Sequence, residues 1–278
     1  MHRTHSMLIA GILTASCAFA QMQPVVTDNQ GAGGIDWANR VIVATGIGVA
    51  NPDMSEAAAR PGAMRAAQQI ALRNALEAFK GIMLNSTTTV ENFMVKSDLI
   101  TSKVGGFIKG FKQEGRTKYM SDGSVEITMS IPLDGIDGAG NILYGSEIGT
   151  KPSITAFEGG RTSSPRLFSG LVVDCRGLRI KPALCPRIID EAGKEVYGSA
   201  YVSREWAIKQ GIVGYAKSLD DAKKLDRIGK TPGSIKAVKA AGENAIDVTI
   251  SDVDAADIRS AAKNLSFLSE CRIVFVVD

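Results

Sequence analysis

The chain has 278 residues with 32 basic and 29 acidic side chains, a formal charge of +3, and is 45% apolar and 22% charged. That balance describes a globular chain and excludes a fibrous or low-complexity one. The basic residues are scattered rather than clustered, which argues against a phosphate-tracking nucleic-acid surface, and at about 150 residues per domain the length calls for two units.

Residues 1–20 read as a secretory signal peptide: His2, Arg3 and His5 form a basic start, Met7 to Ala15 an apolar run, and Ala18-Phe19-Ala20 a small-residue cleavage pattern. No later stretch reaches about 18 uninterrupted apolar residues, so no transmembrane segment is expected. Cys17 is a candidate for lipidation, against which Thr14 stands where an aliphatic residue is expected. Both histidines of the chain lie inside the signal. The exported form would therefore carry no imidazole, which excludes Ser-His-Asp and Cys-His nucleophiles and His-ligated zinc or copper. Hydrolysis by paired carboxylates needs no histidine, but no Asp/Glu spacing singles out such a pair, so no enzyme activity and no cofactor are expected.

Residues 21–39 are polar and glycine-bearing and read as an extended lead-in. A first α+β unit follows over 40–133. Val41 to Ala50 is a β-branched run expected to form a strand. Ser55 to Lys80 carries Met64, Ala67, Ala71, Ala75 and Phe79 at helical spacing, which predicts a helix with a narrow buried stripe, starting near Pro61 and stopped by Gly81. Ile82 to Val90 reads as a strand and Glu91 to Val104 as a short helical or irregular segment. Phe107 to Tyr119 and Ser124 to Pro132 are predicted to pair as a hairpin across Ser121-Asp122-Gly123, with Val125, Ile127, Met129 and Ile131 facing the core.

Residues 134–165 are glycine-rich and read as a linker with one or two short strands. A second α+β unit over 166–278 is predicted to hold strands at 167–174, 187–190, 195–197, 234–240, 247–250 and 271–277, with helices at 203–210, 219–227 and 254–265. The cysteines left after export, Cys175, Cys185 and Cys271, suggest one bridge and one thiol or none paired, with Cys175–Cys185 favoured because 176–182 can return on itself.

Several groups carry a chemical and a bland reading. Gly46-Ile47-Gly48 follows a strand and precedes a helix, yet Asn51 stands at the third glycine position of a dinucleotide loop, so close strand–helix packing is the better account. Arg65, Arg73 and Lys80 read as a solvated helix flank. Asp252, Asp254 and Asp257 suit a helix start rather than a cation site. Ser203 reads as a helix cap, and Trp206 as a core residue rather than a partner anchor. Arg176, Arg187 and Lys181 could meet an anionic ligand between the two units.

The stretch Arg60-Pro61-Gly62-Ala63-Met64-Arg65-Ala66-Ala67, continued by Ala71 to Leu76 and Gly81-Ile82, with Ser86 to Val90, Ser97-Asp98, Gly105 to Gly110 and Asp122 to Ile127 downstream, resembles a bacterial envelope family. That family includes the small outer-membrane lipoprotein of Helicobacter, the flagellar basal-disk protein P and the N-terminal domain of flagellar assembly protein T. The resemblance spans about 41–133. It implies an exported, non-enzymatic building block, a helix packed on a small antiparallel sheet, assembling with itself or with other envelope or flagellar proteins in the periplasm or at the outer membrane. The alternative expectation is a periplasmic binding module for a small anionic or glycan ligand.

Overall fold

The computed structural model describes residues 26–29, 33–95, 110–148, 167–260 and 262–278. The signal peptide, Cys17, Ser97-Asp98, Gly105 and most of the glycine-rich linker lie outside these residues. Within them the chain is α+β.

The first sheet is antiparallel and runs in the order β1 (Val26–Asn29), β2 (Gly33–Asp36), β3 (Val41–Gly48), β5 (Val125–Pro132), β4 (Lys112–Tyr119). Along β5, Val125, Ile127, Met129 and Ile131 are buried while Glu126, Thr128 and Ser130 are only half-buried, the alternation expected of a strand with one face on the core. The β4–β5 reversal is held by Asp122, whose carboxylate accepts from the amide and hydroxyl of Ser124 at 2.9 and 2.6 Å, and by Gly123 at φ +80°.

Helix α1 (Glu56–Lys80) lies across this sheet and buries Ala59, Ala63, Ala67, Ala71, Ala75, Ala78 and Phe79. It begins before Pro61, not at it. Proline in the second turn removes the i+4 donor of the Ala57 carbonyl, and because Ala57 is exposed that carbonyl is open to solvent. An alanine stripe buries little area per residue, so α1 adheres by approaching closely. Gly46 and Gly48 of β3 permit this: a Cβ there would lie 2.1 Å from the carbonyl oxygen of Ala67 and 2.0 Å from that of Ala63. The helix backbone fills the space above the Gly46-Ile47-Gly48 segment. Asn74 Nδ2 adds a 2.8 Å bond to the Thr45 carbonyl. The expected strand over 82–90 is a single bridge, Met83 to Thr89, around a turn in which Asn85 Oδ1 accepts from the amides of Thr87 and Thr88; a short helix, Val90–Val95, follows.

The second half builds a parallel sheet in the order β10 (Gly233–Lys236), β6 (Leu171–Asp174), β13 (Ile273–Val276), β9 (Gly214–Ala216). Val172, Val274 and Val276 face one side, under helix Leu219–Lys224, and Leu171, Val173, Ile273 and Phe275 the other. Burial on both faces is why these strands read as unbroken apolar runs. A third sheet holds β11 (Lys239–Ala241), β12 (Asp247–Thr249), β7 (Ile188–Ile189) and β8 (Glu195–Tyr197).

Other expectations are corrected or refined. Part of the lead-in is structural: β1 and β2 extend the first sheet, and Trp37, 1% exposed, packs edge-on against Tyr215 of the second half at 5.5 Å. The linker contains a helix, Ala139–Glu147, with Leu143 and Tyr144 buried. Trp206 does pack against the core, though only half-buried and beneath Lys209, while Trp37 is fully buried. The Cys175–Cys185 bridge is not formed; Cys175, Cys185 and Cys271 are buried thiols outside any disulfide. The intervening segment does not close on itself, because the amides of Gly177 and Arg179 bind the Asp278 carboxylate and Lys181 bonds to the Ala245 carbonyl, carrying Cys185 away to the Leu84 carbonyl. One buried core runs from Trp37 and α1 through Tyr215 to Phe275.

Candidate functional site

Two hollows lie where the halves meet. The first is built on Arg40. Asp36 Oδ1 accepts from the amides of Ala38 and Asn39, and this tight reversal delivers Arg40 at φ +55° with its side chain turned inward. The guanidinium makes a two-pronged bond to Asp134, at 2.8 and 2.7 Å, and also donates to Tyr144 Oη and the Val213 carbonyl, each at 3.3 Å. Its side chain is 11% exposed and that of Asp134 16%. Burial opposes the charge on Arg40, but Asp134 outweighs it and holds the guanidinium firmly protonated. Burial likewise pushes the Tyr144 phenol well above its usual range.

Arg227 approaches the same place from the second half. Its Nε and Nη2 donate to the Cys271 carbonyl at 3.2 and 2.5 Å, Nη2 to Gly211 at 2.8 Å, and Nη1 to the Gln210 carbonyl at 3.0 Å, so it closes the C-terminal end of helix Arg204–Gln210. Both arginines line a cavity of about 170 Å³, together with Asp134, Gln210, Tyr215 and Asp226.

The second hollow, about 240 Å³, is lined by Asn85, Ser86, Thr87, Cys185, Arg187 and Ser199. The 82–89 turn of the first half docks there through Met83 and Leu84 carbonyls, which accept from the amides of Leu184 and Cys185, while Asn244 Nδ2 reaches the Ser86 carbonyl. Arg187 binds Asp247 through Nε and Nη2 at 3.1 and 2.7 Å. Burial is the first cause that raises the Glu195 carboxyl; nearby Asp247 adds to it while Arg187 lowers it, so two carboxylates lie near one guanidinium.

Of the basic residues singled out in sequence, only Arg187 lines a hollow. Arg176 is exposed and paired with the neighbouring Asp174, and Lys181 is exposed. Arg40 and Arg227 carry no local signal: their partners lie far along the chain and their flanks are ordinary turns. Asp254 forms a reciprocal cap with Ser251, and Asp252 exchanges bonds with Glu191, so these aspartates start a helix. Among the described residues no group of three or more His, Cys, Asp or Glu could hold a metal ion. No helix among them is long and apolar enough to cross a membrane.

A further surface lies at the far end of the first sheet. Val49, 75% exposed, follows β3, Met54, 49% exposed, lies in the turn before α1, and Tyr119 and Met120, 53% and 39% exposed, end β4. Gly48 and Tyr119 flank the same residue of β5, Val125, which places these side chains at one end of three neighbouring strands. Tyr119 leans on Met64, with Arg60 at 5.2 Å over its ring. By contrast, β5 and β13 are each paired on both sides, so neither offers a strand edge. The edge strand β4 is exposed, charged and bulged between Glu114 and Lys118, features that resist strand addition.

Residues 170–278 match a family described as Treponema pallidum Tp0624, second domain. The match covers the parallel-sheet half and lies outside residues 41–133. No curated protein matches the chain.

Proposed function

We propose that the chain is an exported, non-enzymatic docking protein of the bacterial cell envelope, working in the periplasm or at the outer membrane as a building block of an outer-membrane or flagellar-motor assembly. The reading is carried by large apolar side chains left exposed near one end of the first sheet: Val49 follows β3, and Tyr119 and Met120 close β4, with Met54 exposed in the turn before α1; several such side chains in one region mark contact surfaces more than a single one does. The resemblance of 41–133 to envelope building blocks supports it, as does the long helix on an antiparallel sheet which that resemblance implies. With β4 guarded and β5 paired on both sides, exposed side chains rather than addition to these strands make the contact.

The processed chain, studied by light scattering and by capture from detergent-solubilised envelopes, is expected to self-associate or to retain an envelope protein. Val49→Asp combined with Tyr119→Asp is expected to abolish that association while leaving the circular dichroism spectrum unchanged. A strictly monomeric chain that retains nothing, or an association indifferent to both substitutions, refutes the reading.

A further inference from the structure

The cavity lined by Arg40 and Arg227 also carries Asp134 and Asp226, but of its two arginines only Arg40 is paired with a carboxylate among the described residues. Arg40 is answered by Asp134 in a two-pronged pair. Arg227 makes no ion pair among the described residues; its bonds go to the carbonyls of Gln210, Gly211, Ile212 and Cys271. Carbonyl dipoles satisfy hydrogen-bond geometry but supply no full negative charge, and a buried ion lacking one is costly. Burial and the nearby Arg40 both lower the affinity of Arg227 for its proton, so the second cation makes the first harder to keep.

Hydrogen-bond capacity gives an independent reason. Each arginine Nη1 carries two hydrogens. Arg40 Nη1 has the Val213 carbonyl as acceptor, at 3.3 Å, and Arg227 Nη1 the Gln210 carbonyl at 3.0 Å. Among the described residues one N–H on each guanidinium is therefore without an acceptor, and both residues line the cavity. Its volume, about 170 Å³, exceeds several times the roughly 30 Å³ share of one water. Asp226, exposed and with no side-chain bond among the described residues, stands on the lining as its acidic member away from the Arg40 pair.

We propose that this cavity binds a small oxyanion, a carboxylate or phosphate group, held between Arg40 Nη1 and Arg227 Nη1. Forked guanidiniums suit planar or tetrahedral oxygens better than they suit chloride. The bound group would join the first half, through Arg40, to the second, through Arg227. The site is remote from the apolar sheet end, and the inference does not rest on the docking reading.

The test uses the processed chain and three probes at equal ionic strength: sodium chloride, sodium acetate and inorganic phosphate, read by thermal unfolding and by titration calorimetry. A ligand selective for the folded state raises the unfolding midpoint in a saturable way. Phosphate or acetate is expected to do so and chloride is not; the probe that binds tells whether phosphate or carboxylate is the natural group. Asp226→Asn removes a nearby negative charge without breaking a bond and is expected to tighten binding about threefold or more, from Coulomb energies at an effective dielectric between protein and water. Arg227→Met is expected to erase the anion dependence; should it not fold, the Asp226→Asn comparison decides alone. Equal midpoints in all three salts, or a shift that Asp226→Asn leaves unchanged, overturns the proposal in favour of a purely structural Arg227.

Discussion

Replacing Gly48 with alanine tests the central packing argument. A Cβ at Gly48 lies 2.0 Å from the Ala63 carbonyl oxygen and 2.6 Å from the Ala67 amide nitrogen, both backbone atoms of α1 that cannot rotate away. To reach the 3.4 Å at which ordinary contact begins, helix and strand must part by up to about 1.4 Å. A gap of only 0.5–1 Å already forfeits a quarter to a half of a dispersion contact, so the separation weakens the whole alanine stripe. Overpacking of this kind costs about 1–3 kcal/mol, and because the obstructing atoms are backbone we expect about 3 kcal/mol. For a chain of this size that is a fall of roughly 6–12 °C in the unfolding midpoint. Gly62 supplies the control. It lies in α1 itself, with nothing within 4 Å of an added Cβ, so Gly62→Ala is expected to stabilise by about 0.5–1 kcal/mol through helix propensity. Urea unfolding of both variants measures both signs. A Gly48→Ala protein within about 0.5 kcal/mol of the parent, or a Gly62→Ala protein as damaged as Gly48→Ala, refutes the reasoning.

Removing the charge of Asp134 with asparagine leaves Arg40 buried against a neutral partner, at a cost of about 3–5 kcal/mol in urea unfolding. Arg40→Lys is not expected to restore the loss, since an ammonium cannot make the two-pronged bond. The thiols of Cys175 and Cys271 are both pushed up to about 12, first by burial, and Cys185 is buried too; iodoacetamide at pH 8 should leave the native chain unmodified and label these residues only after denaturation. Acid should destabilise the fold. Arg176 lowers the Asp174 carboxyl, the Gly177 and Arg179 amides lower that of Asp278, and at Asp190 burial raises the carboxyl but Arg259 and a backbone bond lower it further. Their contribution is fully present above the unfolded carboxyl value of about 4 and is lost as pH falls through the depressed folded values; a midpoint that stays flat from pH 5 to pH 2 contradicts these assignments.

Local rules located the elements whose determinants are local. The β4–β5 hairpin is written in Asp122-Gly123 and in the alternation from Val125 to Ile131, and the helix in alanines four apart, so both were legible. Two kinds of structure escaped. Trp37 looked like part of a loose lead-in because its partner, Tyr215, lies in the other half and in β9, a strand of three residues too short to show a period. The helix Ala139–Glu147 hid among glycines: Gly138 and Gly140 are required by close approach, since a Cβ there would meet the Asp134 and Leu133 carbonyls at 2.3 and 2.8 Å, and that requirement suppresses the helical composition by which a helix is usually noticed.

The junction was illegible for a stronger reason. A charged side chain becomes a site only when folding removes it from water, and sequence alone does not reveal which scattered cations will be desolvated. Arg176, with its cysteine-flanked setting, looked the more suggestive residue, yet it remains exposed beside Asp174. Arg40 is desolvated because Asp36 forces a reversal that points it into the second half, and Arg227 because the end of helix Arg204–Gln210 needs donors for its carbonyls. Both are therefore tied first to the architecture, one to a turn and the other to a helix terminus. Each N–H still available is left over after a structural demand has been met, so any ligand it holds would couple directly to the contact between the halves.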